Sequence, residues 1–168
     1  MALSHDSEVW RQRLAALPLA TYQAGDTVFE EGTKTGRLLI LKSGAVGIVK
    51  NGTEIATVAE PGAVFGELSA LLDQPHSADV RALETSEFHV ADAATLLQDP
   101  TALLYVTTVL ARRIDAANQG LLQLKMLLEA GEPRGLIDKT LDGIEGLLSA
   151  IGTGYIRAGA GVAGYPLA

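Results

Sequence analysis

The sequence predicts a mainly β domain with flanking helices: an antiparallel β-barrel or jelly roll, followed by a long helix and a helical, glycine-rich extension. Three observations predict it. From Leu19 to about residue 91, short runs rich in Val, Ile, Leu and Thr are broken at Gly25-Asp26, Gly32, Ser43-Gly44, Asn51-Gly52 and Pro61-Gly62, which is the punctuation of hairpins. After Asp92 the apolar spacing lengthens to alternate steps of three and four. The last 17 residues, 152–168, then carry glycine at 152, 154, 159, 161 and 164.

Taken in order, Ser7 to Leu17 has Val9, Trp10, Leu14 and Leu17 at helical spacing, with Ser4 or Ser7 available as a cap. The clearest hairpin signal is Asn51-Gly52 between AVGIVK and TEIATV, because a type I′ turn needs positive φ at both central residues. Strands recur in DVRALE and SEFHVA, which closes the barrel at about residues 19–91. Asp99-Pro100 opens a helix over about residues 100–130, whose Leu110, Ile114, Ala117, Leu121, Leu124 and Leu128 form a heptad seam. The seam packs either on the chain's own barrel or on the same helix of a second subunit. Gly120 weakens this helix by about 1 kcal/mol relative to alanine. A second amphipathic segment, Pro133 to Ile151, places Ile137, Leu141, Ile144, Leu148 and Ile151 on one face. The tail offers little to bury beyond Tyr155, Ile156, Val162, Tyr165 and Leu167, a composition usually mobile in isolation. These boundaries divide the chain into residues 1–131, 132–151 and 152–168.

Composition narrows the function. At 168 residues the chain is expected to be one domain, and its net charge of −7 argues against a surface built to neutralise nucleic-acid phosphates. With no cysteine, disulfides, thiol catalysis and thiolate metal sites are excluded. The N-terminus MALSHDSEVW lacks a secretion signal, and no stretch of about 18 apolar residues is present. A soluble, cytoplasmic protein is expected, with no membrane span.

The chemistry concentrates in FGELSALLDQPHSADVRA, Phe65 to Ala82. With a strand ending at Phe65 and a short helix starting near Glu67, backbone N–H groups of the first turn face outward, and Gly66 lets an anion approach the main chain. A carboxylate at Glu67 beside such an anion makes sense if it faces a hydroxyl, as the 2′-OH of a ribose supplies. Phosphate and sugar together suggest a nucleotide.

With its flanks, this pattern resembles a known family. YQAGDTVFEEG (Tyr22 to Gly32), LLILKSGAVGIV (Leu38 to Val49) and PGAVFGELSALLDQPHSADVRA (Pro61 to Ala82) are similar to the cyclic-nucleotide-binding domains of catabolite activator proteins, protein kinase A regulatory subunits and ligand-gated channels, over roughly Leu14 to Glu129. The resemblance implies that Phe65-Gly66-Glu67-Leu68 and the Pro-Arg-Ser/Thr-Ala that follows form a phosphate-binding cassette. It implies that Glu67 takes the ribose hydroxyl, that the main chain at Gly66, Leu68 and Ser69 helps hold the ring, and that Ser77, beside Ala78, contacts the cyclic phosphate of cAMP or cGMP.

The departure is His76, where the family pattern has arginine. Losing a charged phosphate contact of about 1.5 to 3 kcal/mol weakens binding by about ten- to a hundredfold. Histidine carries full charge only below about pH 6.5. Three readings follow: a weakened or pH-sensitive cyclic-nucleotide site, a site for another ligand, or a domain kept for its fold. Arg81 should face away by strand parity. Arg112 and Arg113, on the long helix, are candidates for a purine-side contact. His5 falls in the N-terminal segment, and His89 reads as a residue of a solvated strand face.

Other functions are poorly supported. Three histidines without a His-x-His pair do not make a cupin metal site, and no Ser-His-Asp set or phosphate loop is present. No catalytic residue, metal or cofactor is therefore expected. The 36 residues after Glu132 hold three acids and three bases, which does not suit a DNA-reading helix pair. A regulatory module is expected, homodimeric through Leu110 to Leu128 and signalling through its C-terminal helices to a protein partner. The alternative is a scaffold that no longer binds nucleotide.

Overall fold

The computed structural model describes residues 8–131 and 135–141. Eight strands form the body: β1 (Leu19–Tyr22), β2 (Thr27–Phe29), β3 (Arg37–Ser43), β4 (Val46–Lys50), β5 (Thr53–Val58), β6 (Val64–Phe65), β7 (Asp79–Ala82) and β8 (Ser86–Asp92). They pair antiparallel as two four-stranded sheets, in the orders β1-β8-β3-β6 and β2-β7-β4-β5. Four helices flank them: α1 (Glu8–Ala15), α2 (Glu67–Leu72), α3 (Ala93–Leu96) and α4 (Pro100–Glu129). Residues 135–141 are also helical. This is the antiparallel β fold with flanking helices that the turn spacing predicts, with the strands in two facing sheets that do not close into a continuous barrel.

Strand β3 organises two cores. Its LLIL run is buried on both faces, with Leu39 and Leu41 pointing between the sheets onto Phe29, Val46, Val80 and Phe88. Leu38 and Ile40 point the other way, under the helices, against Trp10, Tyr105, Val106 and Val109. A run apolar on both faces suits a strand covered on both sides. Trp10 and Leu14 of α1, with Leu17 just after it, face this second core, but Val9 is exposed, because its position is rotated off that stripe. Ser4, Ser7 and His5 lie outside the described residues.

Turn chemistry fixes the register. Asn51 and Gly52 have φ of 50° and 77°, and Lys50 pairs with Thr53 across them. Asp99 caps α4 by accepting a hydrogen bond from the Thr101 N–H at 2.9 Å, with Pro100 in the first turn. Asp99 also pairs with Arg13 of α1.

Helix α4 runs unbroken through Gly120, and its first half is clamped to the strands. Trp10 stacks on Tyr105 with ring centroids 4.5 Å apart, and the Tyr105 hydroxyl donates to the Gly62 carbonyl at 2.7 Å. Burial pushes the Tyr105 hydroxyl up to a pKa of about 12, so it stays a donor at every physiological pH. The predicted seam behaves differently along its length. Leu110 joins the second core, whereas Ile114, Leu121 and Leu128 are 62%, 63% and 60% exposed. Packing on the chain's own strands therefore accounts for the start of the seam and not for the rest. Pro133, Ile144, Leu148, Ile151 and the glycine-rich tail lie outside the described residues.

Gly66 makes the tightest turn near the cavity described below. Its φ is 86°, and a Cβ there would stand 2.5 Å from the Arg37 carbonyl oxygen and 3.2 Å from the Phe29 ring. At Gly52, with φ of 77°, a Cβ meets nothing within 4 Å. Alanine in a left-handed conformation costs about 1 to 2 kcal/mol, so Gly52→Ala should cost that much alone. Gly66→Ala should cost at least about 1 kcal/mol more through overpacking. Urea unfolding of the two variants measures the difference, and equal midpoints would show that the Gly66 crossing is loose.

Candidate functional site

The turn at Gly66 lets the chain pass from β6 directly into α2, beneath the end of β3. Helix α2 is less than two turns long, with Gly66 at its N-cap and no side-chain cap. The Ser69 hydroxyl donates to the Gln74 carbonyl at 2.6 Å, which closes the loop after α2. That loop is stitched to the β2–β3 connection: His76 N–H donates to the Thr33 carbonyl at 2.7 Å and Gly32 N–H to the His76 carbonyl at 2.9 Å. Lys34 pairs with Asp73, and Asp79 accepts from the Glu31 N–H at 2.7 Å. Two segments about 40 residues apart in sequence thus make one wall.

The wall bounds a cavity of about 170 Å³ that opens directly to solvent. All eight residues predicted from the sequence, Phe65 to Ser69 and His76 to Ala78, line it. The strands add an apolar floor that includes Ile48, Ala56, Val58 and Val80. Sequence reasoning did not single these out, although their alternation along β4, β5 and β7 is the signal that marks inward positions.

Arg113 of α4 also lines the cavity, and Arg112 does not. The Arg113 guanidinium pairs with the Glu67 carboxylate and donates a second bond to the Val64 carbonyl at 3.0 Å. It therefore stands at the residue that the resemblance assigns to the sugar. Glu67 is 4% exposed, and burial raises its pKa more than the attraction of Arg113 lowers it. Arg81 is exposed on β7 and paired with Asp79 at 2.7 Å, as strand parity predicts.

His76 is 6% exposed and is held on two sides. Its ring stacks on Phe29 with centroids 4.1 Å apart, and its Nε2 lies 3.0 Å from Thr35 Oγ1. Burial holds its pKa below the usual histidine value. Neither Phe29 nor Thr35 was foreseen as a partner, because nothing local in the sequence ties position 76 to them. His89 also departs from expectation. It is half-buried on β8, with its pKa lowered first by burial and then by Lys42. Among the described residues, no group of three or more His, Cys, Asp or Glu could hold a metal ion, and no helix is long and apolar enough to cross a membrane.

The cyclic nucleotide-binding domain family matches residues 19–98, from β1 to just beyond α3. That stretch belongs to this family. The domain resembles part of a cGMP-dependent protein kinase of Plasmodium berghei, with 34% identity over 67 residues, which is 40% of this chain and 8% of the kinase. The chain thus spans a small fraction of that relative's length. Among solved structures, the Thermus thermophilus catabolite activator protein superposes with a TM-score of 0.59 at 22% identity, covering 84% of each chain. The N-terminal domain of a transcriptional regulator from Streptomyces coelicolor superposes at 0.53 with 27% identity, over 69% of this chain and 86% of that one.

The state of His76 has a measurable consequence. A histidine whose pKa is lower in the folded chain than the unfolded value of about 6.5 stabilises the fold fully above that pH, and the contribution is lost as pH falls through the folded pKa. Glu67, with a raised pKa, acts in the opposite sense on acidification, and His89 acts in the same sense as His76. Comparing the natural chain with His76→Gln, which keeps a partner for Thr35, cancels both of those contributions. Thermal midpoints from pH 8 to pH 5.5 should fall more steeply in the natural chain. Parallel curves would mean that His76 titrates normally.

Proposed function

We propose that the protein is a soluble, cytoplasmic regulatory module in which a nucleotide-type ligand, cAMP or cGMP in the family pattern, enters this cavity with its ribose at Glu67. Helix α4 carries the response. The observation that supports this reading is the Arg113–Glu67 pair. An occupant that hydrogen-bonds Glu67 shares the carboxylate with the anchor of α4, so occupancy and helix position are energetically linked. The Plasmodium relative is named for its dependence on cGMP, which keeps that nucleotide beside cAMP as a candidate. In the family pattern Gly66, Leu68 and Ser69 hold the ring through their main chain, and Ser77 reaches the phosphate.

With neutral His76 in place of an arginine, cyclic nucleotide binds weakly. Calorimetric titration with cAMP and cGMP should show affinity increased about ten- to a hundredfold by His76→Arg, and binding should be lost in Glu67→Ala. Binding untouched by Glu67→Ala would place the ligand elsewhere.

The output surface is the second half of α4. Ile114, Leu121 and Leu128 leave large apolar side chains in solvent at heptad spacing, which suits a second copy of the helix. Sedimentation should show a dimer that Leu121→Glu converts to monomer. A natural chain that is monomeric at every concentration would redirect this face to a different protein partner.

A further inference from the structure

The charges that line the cavity cancel. Among the described lining residues, Glu67 is the one carboxylate and Arg113 the one guanidinium or ammonium, and the two are paired with each other. The neighbouring cations are engaged elsewhere, Lys34 with Asp73 and Arg81 with Asp79. His76 adds no cation near neutral pH: it is buried with its ring on Phe29 and its Nε2 beside the Thr35 hydroxyl, and burial holds its pKa below the usual histidine value.

An anion entering this space gives up its water and finds no unpaired positive charge. Drawing Arg113 to itself would leave the buried Glu67 carboxylate without its counter-charge. An uncharged ligand rich in hydroxyls meets neither obstacle. A carboxylate has about four acceptor positions, and Arg113 engages one oxygen of Glu67. The positions left on that carboxylate suit the two donors of a vicinal diol. Ser77, exposed at the rim, adds a neutral hydroxyl. The apolar floor of Ile48, Ala56, Val58 and Val80 suits a flat heterocycle.

Resting on the nucleotide-type reading above, we infer that the preferred occupant is an uncharged ribonucleoside-type ligand with free vicinal hydroxyls, rather than its cyclic monophosphate. Charge balance, rather than shape, sets this preference. A cation added to the wall should therefore reverse it.

The test is calorimetric titration of the full chain at pH 7.5 with adenosine, guanosine and their 3′,5′-cyclic monophosphates, repeated on His76→Arg and Ser77→Arg. The second variant places a cation at an exposed position, so it stays informative if the buried substitution at 76 disturbs the fold, which circular dichroism reports. The expected result is a nucleoside bound at least tenfold more tightly than its cyclic phosphate by the natural chain, with the ratio falling below one in a folded arginine variant. A natural chain that binds the cyclic phosphate as tightly as the nucleoside overturns the inference and leaves the proposed function standing. A nucleoside preference unchanged in a folded arginine variant also overturns it, because charge would not be the cause. Failure of all four ligands on the natural chain and on both variants overturns the inference and the proposed function together.

Discussion

The ion pair between Arg113 and Glu67 is the contact on which the rest of the site depends. Glu67 sits at the start of a helix too short to hold itself, in a cavity that is mostly apolar. A carboxylate buried there needs a counter-charge, and the chain supplies it from α4, 46 residues later. The same guanidinium also satisfies the Val64 carbonyl at the end of β6. Tyr105, two turns earlier on α4, reaches the Gly62 carbonyl just before that strand. The first half of α4 is thereby fastened to a single strip, residues 62–67, which is also a wall of the cavity.

The surroundings of His76 follow a different logic. Its backbone completes two hydrogen bonds with the turn at Gly32 and Thr33, and its ring covers Phe29. Phe29 in turn packs beneath Gly66, where no side chain fits. The imidazole thus closes the inner wall of the cavity as a neutral aromatic plate. A neutral ring is cheap to bury where a cation is not, and the direction of its pKa shift agrees with that choice. Of the sequence-based readings of position 76, this favours an altered ligand preference over a pH-gated phosphate contact.

Much of the fold is legible in the sequence because its signals are local. Asn51-Gly52 dictates a positive-φ turn and adopts one, Asp99-Pro100 starts a helix and caps it, and the uninterrupted LLIL run becomes the strand buried on both faces. The cassette residues are legible as a cluster for the same reason, since they lie within Phe65 to Ala78. What the sequence leaves open depends on tertiary distance. The Phe29 plate behind His76, the Thr35 hydroxyl at its Nε2 and the choice of Arg113 over Arg112 at Glu67 all join elements far apart along the chain. Periodicity narrows the two arginines to one helix, but adjacent residues differ by about 100° around it, and only packing decides which enters the cavity. His89 reads as solvated by alternation and is half-buried because α1 lies across that face.

A double-mutant cycle on Arg113→Met and Glu67→Gln, read by urea unfolding, tests the buried pair most directly. Breaking one partner of a buried pair costs roughly 3 kcal/mol, and removing both costs much less than the sum. A coupling of at least about 1.5 kcal/mol is predicted for this pair. Additive single effects would contradict it, and would mean that α4 is fastened to the strands by its apolar face alone.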